Sequence, residues 1–343
     1  GSGNTSWAEA GGGVSSDSNN NTVAGTEAGT AFNTSGDIAS QNTVYGYRAG
    51  KVINSGDWNT LIGANAGKSV TSGQANTVVG QDAFTDCTTG GYNSAFGQGS
   101  LQGLTSGTNN QVFGAWSGWK MTTGTWNATL GYQAMRGSSA DVTGSYNTSL
   151  GNKSMYHATT ANNNTVVGYE AGYQITTANN NTIVGYQAGK AITTGSNNTL
   201  IGRLCGQAIT TGGTNIALGN YIYEKLTTGS GNIGIGSLAL VELTTGAHNI
   251  AIGGSETGKN VTTGSSNIFM GTEAGRLTTT GSHNIYLGTE CYKNATGSNN
   301  IAIGKEVAPS SNSVSNEITL GNTSHTKFRI PAFSYEITAN AVT

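Results

Sequence analysis

A single spacing organises almost the whole chain, because the motif Asn-x-x-x-Gly returns every 17 residues. Its glycine advances in steps of 17 from Gly46 to Gly131 and again from Gly151 to Gly253. The few other steps range from 16 to 21 residues, as expected of small insertions or deletions in turns. A short repeat of nearly constant length predicts a solenoid, in which each unit packs only against its two neighbours.

The residue types within one unit favour strands and turns over helices. With the Asn taken as position one, residues 181–197 give a regular copy, Asn-Thr-Ile-Val-Gly-Tyr-Gln-Ala-Gly-Lys-Ala-Ile-Thr-Thr-Gly-Ser-Asn. Positions one to four and eleven to fourteen predict two short strands, and the glycines at five, nine and fifteen predict turns or close backbone contacts. Each glycine would cost a helix about 1 kcal/mol. We therefore predict an all-β fold, a parallel β-solenoid (β-roll) with about 17 residues per coil, and a rod about 80 Å long.

Composition excludes several functional classes. Charged residues make up 9% of the chain, against about 25% in typical soluble domains. The formal net charge of −2 gives no basic surface, so we expect no nucleic acid partner. No apolar run approaches the ~18 residues of a membrane span, so we expect no membrane insertion. Three cysteines, an odd number, predict no complete disulfide framework.

Alternation along the first strand predicts which side chains are internal. Position four holds large apolar residues such as Val79 and Val184, so we expect it to point into the coil together with position two. Small Ala at position eight and an apolar residue at position twelve would complete the core. The Asn residues at position one, from Asn21 to Asn300, predict a column bonded side chain to side chain between coils.

Position three is then expected to face outward, although it too is apolar in most coils. Strands that are apolar on both faces are buried on both faces, and an exposed apolar stripe would promote aggregation. We therefore predict that position three packs against further copies in a closed homo-oligomer, with dimer and trimer both open on this ground. The candidate interface residues are Val78, Val112, Val166, Ile183, Leu200 and Phe269.

Some segments resemble known fibre repeats. Residues 298–304 (Ser-Asn-Asn-Ile-Ala-Ile-Gly) and 247–253 resemble the head repeats of YadA-like trimeric autotransporter adhesins. Copies with Asn-Thr-Val-Val-Gly-Tyr-Glu-Ala-Gly and Thr-Thr-Gly spacers, and the ending at 318–331, are similar to marine bacteriophage tail-fibre repeats. The resemblance covers residues 21–331 and implies a left-handed, homotrimeric β-roll that binds a host-surface glycan or protein receptor. The coils are longer than those of the adhesin heads, which favours the phage fibre.

These observations predict three parts and one role. Residues 1–20 form a polar lead-in, residues 21–321 a repeat rod, and residues 322–343 a C-terminal cap or junction. We expect a structural, adhesive fibre in a virion tail or at an extracellular surface, and not an enzyme, with no cofactor or metal. The alternatives are a self-assembling extracellular filament, a bacterial surface adhesin, a polysaccharide depolymerase and an ice-binding solenoid.

Aromatic residues at the corners are candidate glycan contacts, although packing at corners or between chains explains them as well. They recur at positions six and seventeen, where Tyr92 and Tyr146 belong to the position-seventeen set. The candidate glycan contacts are Trp58, Trp116, Trp119, Trp126, Tyr169 and Tyr186.

Other polar files follow the repeat and have simple structural interpretations. Carboxylates at position seven, such as Glu27 and Glu170, obey the repeat, whereas a catalytic pair would interrupt it. Threonines at position thirteen form one file, where ice binding would need two. His248 and His283 are expected to be solvated corner residues. Cys87, Cys205 and Cys291 occupy core positions, and we expect buried free thiols.

Overall fold

The computed structural model describes residues 14–32, 39–138, 140–292 and 296–325. In these residues the chain is all-β, without a helix, and almost every coil contributes one strand of three residues. The strands are β1 Ser15–Ser16, β2 Thr22–Ala24, β3 Thr43–Tyr45, β4 Thr60–Ile62, β5 Thr77–Val79, β6 Ser94–Phe96, β7 Gln111–Phe113, β8 Ala128–Leu130, β9 Thr148–Leu150, β10 Thr165–Val167, β11 Thr182–Val184, β12 Thr199–Ile201, β13 Ile216–Leu218, β14 Ile233–Ser237, β15 Ile250–Ser255, β16 Ile268–Met270, β17 Ile285–Leu287, β18 Ile301–Ile303 and β19 Ile318–Leu320.

Strands β2 to β19 form one sheet in which each strand pairs in parallel with the next along the chain. The pairing is in register, so that Thr182 lies opposite Thr199 and Val184 opposite Ile201. The short strand β1 pairs antiparallel with β2 and covers an edge that would otherwise be open to pairing with another chain. The predicted parallel solenoid with a coil of about 17 residues is therefore confirmed.

The prediction of a second strand at positions eleven to fourteen is wrong. In the described residues this side of the coil shows only one isolated bridge, between Met121 and Val142. The amides of Asn54, Ser55 and Gly56 all approach the carbonyl of Thr71, at 3.1, 3.2 and 3.2 Å. Three successive amides that converge on one carbonyl produce a turn, because a strand would direct alternate amides to opposite sides.

The predicted orientation of the first strand is also wrong. Position three points into the coil, while positions two and four point out. The candidate interface residues are all fully buried within one chain: Val78, Val112, Val166, Ile183, Leu200 and Phe269. The physical reason is the Asn at position one, which needs internal backbone partners. Alternation then places position three, two residues later, on the same inner side.

The remaining core assignments are confirmed. Ala188 at position eight and Ile192 at position twelve are buried, as are their equivalents in most other coils. The glycine at position five allows the coils to stack closely. Gly185 has φ +140°, and a Cβ atom there would lie 2.3 Å from the carbonyl oxygen of Gly202 in the next coil.

The two ends of the chain are described only in part. Residues 1–13 of the predicted lead-in and residues 326–343 of the predicted cap lie outside the described residues. The last coil ends the column of asparagines with Glu317, whose backbone amide donates to Oδ1 of Asn300 at 3.0 Å. The boundaries at residues 20 and 322 remain predictions.

Candidate functional site

The outer side of the sheet presents three parallel files of side chains, at positions seventeen, two and four, which we call the outer face. Residues 58–62 show the alternation that produces it. Trp58 and Ile62 are exposed and Thr60 is half-buried, whereas Asn59 and Leu61 between them are buried. Because neighbouring strands pair in register, each file runs straight along the sheet.

Position four gives the outer face a continuous apolar file. The side chains are half-buried or exposed, and adjacent ones contact each other, as in the parallel stack of Phe96 on Phe113 with ring centroids 4.8 Å apart. From β3 to β19 the file consists of Tyr45, Ile62, Val79, Phe96, Phe113, Leu130, Leu150, Val167, Val184, Ile201, Leu218, Ile235, Ile252, Met270, Leu287, Ile303 and Leu320.

Position two changes character along the rod. It is mainly Thr from Thr22 to Thr199, with Ser94, Gln111 and Ala128 as the exceptions. From β13 onward the outer face carries two adjacent apolar files, because position two is isoleucine in every strand. These residues are Ile216, Ile233, Ile250, Ile268, Ile285, Ile301 and Ile318.

Position seventeen carries exposed aromatic rings in one part of the rod. Trp58, Tyr92, Trp126 and Tyr146 are 54%, 52%, 57% and 60% exposed. Each of them lies two residues before the first residue of a strand, which is β4, β6, β8 and β9 respectively. All four adopt the left-handed backbone conformation, with φ between 57° and 61°. Of the predicted glycan contacts, Trp58 and Trp126 are therefore open to solvent.

Two other predicted glycan contacts, Trp116 and Trp119, are half-buried. Their rings meet edge to face with centroids 5.9 Å apart. The indole nitrogen of Trp119 donates to Oε1 of Gln102 at 2.6 Å, and the guanidinium of Arg136 lies 4.5 Å from the Trp119 ring centroid. The contacts of Trp119 with Gln102 and Arg136 link successive coils, and Trp116 packs on Trp119 within one coil, so packing already accounts for both tryptophans.

The last two predicted glycan contacts, Tyr169 and Tyr186, lie at position six and stack on each other at 5.6 Å. Arg203 covers part of the Tyr186 ring, with its guanidinium carbon 5.9 Å from the centroid. Both rings are a little under half exposed. Each therefore has one face occupied by its neighbour along the rod.

At position seven, the carboxylates of Glu27 and Glu170 form ion pairs. Glu27 contacts Lys51 at 2.6 Å and Arg48 at 3.0 Å, and hydrogen bonds from Lys51 and then Arg48 lower its pKa. At Glu170, burial raises the pKa, but hydrogen bonds from Lys190 and other neighbours outweigh burial and lower it overall. A general acid at neutral pH needs a raised carboxyl pKa, which is the opposite of what these two carboxylates have.

The remaining sequence candidates have structural roles or are solvated. At position thirteen the hydroxyl of Thr71 donates to the carbonyl of Thr88 at 3.0 Å, and equivalent bonds recur along the file. His248 and His283 are exposed. The three cysteines are free and buried, as predicted. The described residues contain no cluster of His, Cys, Asp or Glu that could hold a metal ion, and no helix able to span a membrane.

The fold and the outer face together define the class of this protein, a parallel β-solenoid repeat protein with an apolar file along its sheet. Comparison of the chain with models of protein families, with curated protein sequences and with solved structures finds no match. The position-four file was not recognised from the sequence as an external surface. Position four lies three residues after the internal Asn at position one. Because side chains alternate along a strand, this odd separation could have identified position four as external.

Proposed function

We propose that this chain is the protomer of a rod-shaped homo-oligomer that extends from a virion tail or extracellular structure and attaches it to a surface. The observation that carries the proposal is the unbroken apolar file at position four from Tyr45 to Leu320. Large contiguous apolar surfaces mark sites of association in soluble proteins. The stacked coils form the long shaft that extends the attachment surface away from the virion tail or extracellular structure.

The size of the outer face suits an interface between proteins. At ~4.8 Å per strand the file is about 80 Å long, and with position two beside it the face is about 10 Å wide. That gives roughly 800 Å², about what each partner contributes to a stable interface of standard size. Together with the resemblance to trimeric β-rolls, this favours a closed homotrimer.

The periodicity of the outer face favours a second copy of the same chain over an unrelated partner. Its side chains repeat at the strand spacing, and a partner must present grooves at that same spacing to pack against many of them. Another copy of this solenoid necessarily has that spacing, because its coils stack at the same distance. The contact should be strongest from β13 to β19, where Ile at position two adds a second apolar file.

The test is the mass of the purified chain in solution, measured by light scattering. We expect the unchanged protein to form a discrete oligomer, and the double variant Met270→Asp plus Ile303→Asp to shift to the mass of one chain. Both residues lie in the position-four file and are 43% exposed, so the substitutions should not disturb folding. A circular dichroism spectrum would verify that the strands persist.

A matched control places the same charges outside the outer face. Thr245 and Thr280 are exposed residues at position fourteen, and Thr245→Asp plus Thr280→Asp should leave the mass unchanged. A monomeric unchanged protein would refute the proposal. Open-ended polymers would favour a structural filament, and release of reducing ends from polysaccharide would favour a depolymerase.

A further inference from the structure

We infer that the position-seventeen aromatic residues between Trp58 and Tyr146 form a binding ladder for an extended, uncharged, β-linked polysaccharide. The inference rests on the proposed attachment function and gives it a ligand class and a place on the rod. Trp58, Tyr92 and Trp126 form the ladder itself, and Tyr146 extends it by one coil.

The backbone shows that neither folding nor packing requires aromatic residues at this position. Position seventeen is left-handed in coil after coil, and its occupant is often Asn, as at Asn163, Asn180 and Asn197. Asn tolerates this conformation well, whereas a bulky side chain is strained in it. Residues held in an unfavourable backbone conformation cluster at functional sites. Trp and Tyr here are strained and yet more than half exposed, so the core does not compensate for the strain.

The ring faces are free, unlike those of Trp119, Tyr169 and Tyr186. In the part of the chain that the structure describes, no ring stacks on Trp58, Tyr92, Trp126 or Tyr146, and no cation lies over them. The side-chain hydrogen bonds described for these rings are at their edges. The indole nitrogen of Trp58 donates to Oε1 of Gln41, and Nε2 of Gln74 donates to the Tyr92 hydroxyl at 3.3 Å.

The spacing of the rings fits a polymer of hexoses. Trp58, Tyr92 and Trp126 belong to alternate coils, and the residues between them are Ala75 and Asn109. Two strand spacings give about 9.6 Å between successive rings. An extended β-linked polysaccharide presents the same sugar face every second ring, over nearly this distance. Each apolar sugar face would then pack on one aromatic ring, and the small residues between them leave room for the intervening sugars.

The polar residues beside the ladder favour a neutral ligand. At positions sixteen and two the ladder is flanked by hydroxyl and amide side chains, among them Thr60, Thr77, Gln111 and Thr125. The one charged residue in these files between residues 57 and 128 is Asp57. Its Oδ1 already accepts hydrogen bonds from the amide and hydroxyl of Ser40, at 2.7 and 3.0 Å. Hydroxyl and amide groups can bond to sugar hydroxyls, whereas an acidic sugar would find no cation here.

The ladder lies at the rim of the proposed contact between chains. Position seventeen and position four of the following strand are four residues apart, or about 13 Å along an extended chain. Moreover, the apolar file at position four runs along the whole rod, while the aromatic rings occupy only one part of it. A contact between chains that extends along the whole rod therefore does not explain why the aromatic rings are confined to one part of it.

The experiment is titration calorimetry of the purified oligomer with cellohexaose and chitohexaose, with α-linked maltohexaose as the control for polymer shape. We expect binding of at least one β-linked hexamer and none of maltohexaose. Trp58→Asn and Trp126→Asn should each weaken binding about tenfold, and the double variant should abolish it. The matched control is Tyr132→Ala, which removes a ring of similar exposure, 47%, from position six.

Each other outcome overturns the inference. Failure of both β-linked hexamers to bind would exclude the ligand class, and binding that survives the double variant would exclude the ladder. Dissociation of the oligomer by Trp58→Asn or Trp126→Asn would assign the rings to the contact between chains. A discrete oligomer that binds no sugar would leave the proposed rod intact, so the two proposals fail separately.

Discussion

Nδ2 of Asn181 donates to Oδ1 of Asn164 at 3.0 Å, and the same oxygen accepts the backbone N–H of Asn181, also at 3.0 Å. Nδ2 of Asn181 also donates to the carbonyl of Gly195 within its own coil at 3.1 Å. The column of asparagines thus connects coil to coil and also closes each coil. A buried amide that satisfies backbone groups in this way is hard to replace, because the partners left behind would be unsatisfied.

We predict that Asn181→Ala destabilises the rod by about 3 kcal/mol or more, because several buried polar groups lose their partners. Among them is the backbone amide of Asn198, which donates to Oδ1 of Asn181 at 2.9 Å. Guanidinium unfolding followed by circular dichroism measures the effect. Replacement of the exposed amide Gln174 by Ala is the control and should change stability little. Equal effects of the two substitutions would show that the column does not hold the coils.

A second prediction concerns the stacking of the coils at position five. Gly185→Ala should cost about 3 kcal/mol or more, because the residue has φ +140° and its Cβ would lie 2.3 Å from the oxygen of Gly202. Gly254→Ala is the matched control. A Cβ atom there would meet only the Thr272 hydroxyl, at 3.1 Å, which can rotate away. Thermal unfolding compares the two, and a mild effect at Gly185 would contradict the close approach.

The strain at position seventeen predicts a gain in stability from the loss of a ring. Trp126→Asn should stabilise the chain by about 0.5–1 kcal/mol, since Asn accepts the left-handed conformation more readily than Trp does. Trp119→Asn is the contrasting variant and should destabilise, because Trp119 packs against Arg136 and Trp116. Chemical unfolding measures both. A loss of stability at Trp126 would mean that its ring packs within the assembly.

The buried thiols should be unreactive in the folded rod. Burial raises the pKa of Cys87 and of Cys205 to about 12. Compared with an exposed thiol at mildly alkaline pH, roughly a thousandfold less thiolate is present. We expect no reaction with Ellman's reagent until denaturant is added, when all three cysteines should react. Thr194→Cys, at an exposed site, should react at once in the folded protein. Rapid labelling of the unchanged rod would contradict the burial.

The repeat made much of this structure predictable, and the reasons are local. Regular Asn and Gly positions specify where the chain turns and where coils stack, so the parallel pairing, the buried Ala188 and Ile192, and the Asn column all followed from the spacing. The second strand did not form as predicted, because the turn at Gly56 directs three amides to one carbonyl. β-Branched residues on that side indicated extended chain without indicating where the amides point.

The candidate site was predictable in composition but not in orientation. The sequence singled out Trp58 and Trp126, and it also singled out Trp116 and Trp119, which the fold packs between coils. No sequence pattern distinguished free rings from stacked ones, because that difference depends on which residue the next coil places beside each ring.

The sequence by itself determined the coil length, the in-register stacking and the identity of every file of side chains. Only the tertiary structure decided which files face solvent. Residues such as Ile183 and Val184 are equally apolar, so alternation over three residues fits either orientation. The internal carbonyl partner of the Asn at position one settles the choice, and it exists only once the coil has closed. That bond turns position three inward and leaves position four as the apolar surface of the rod.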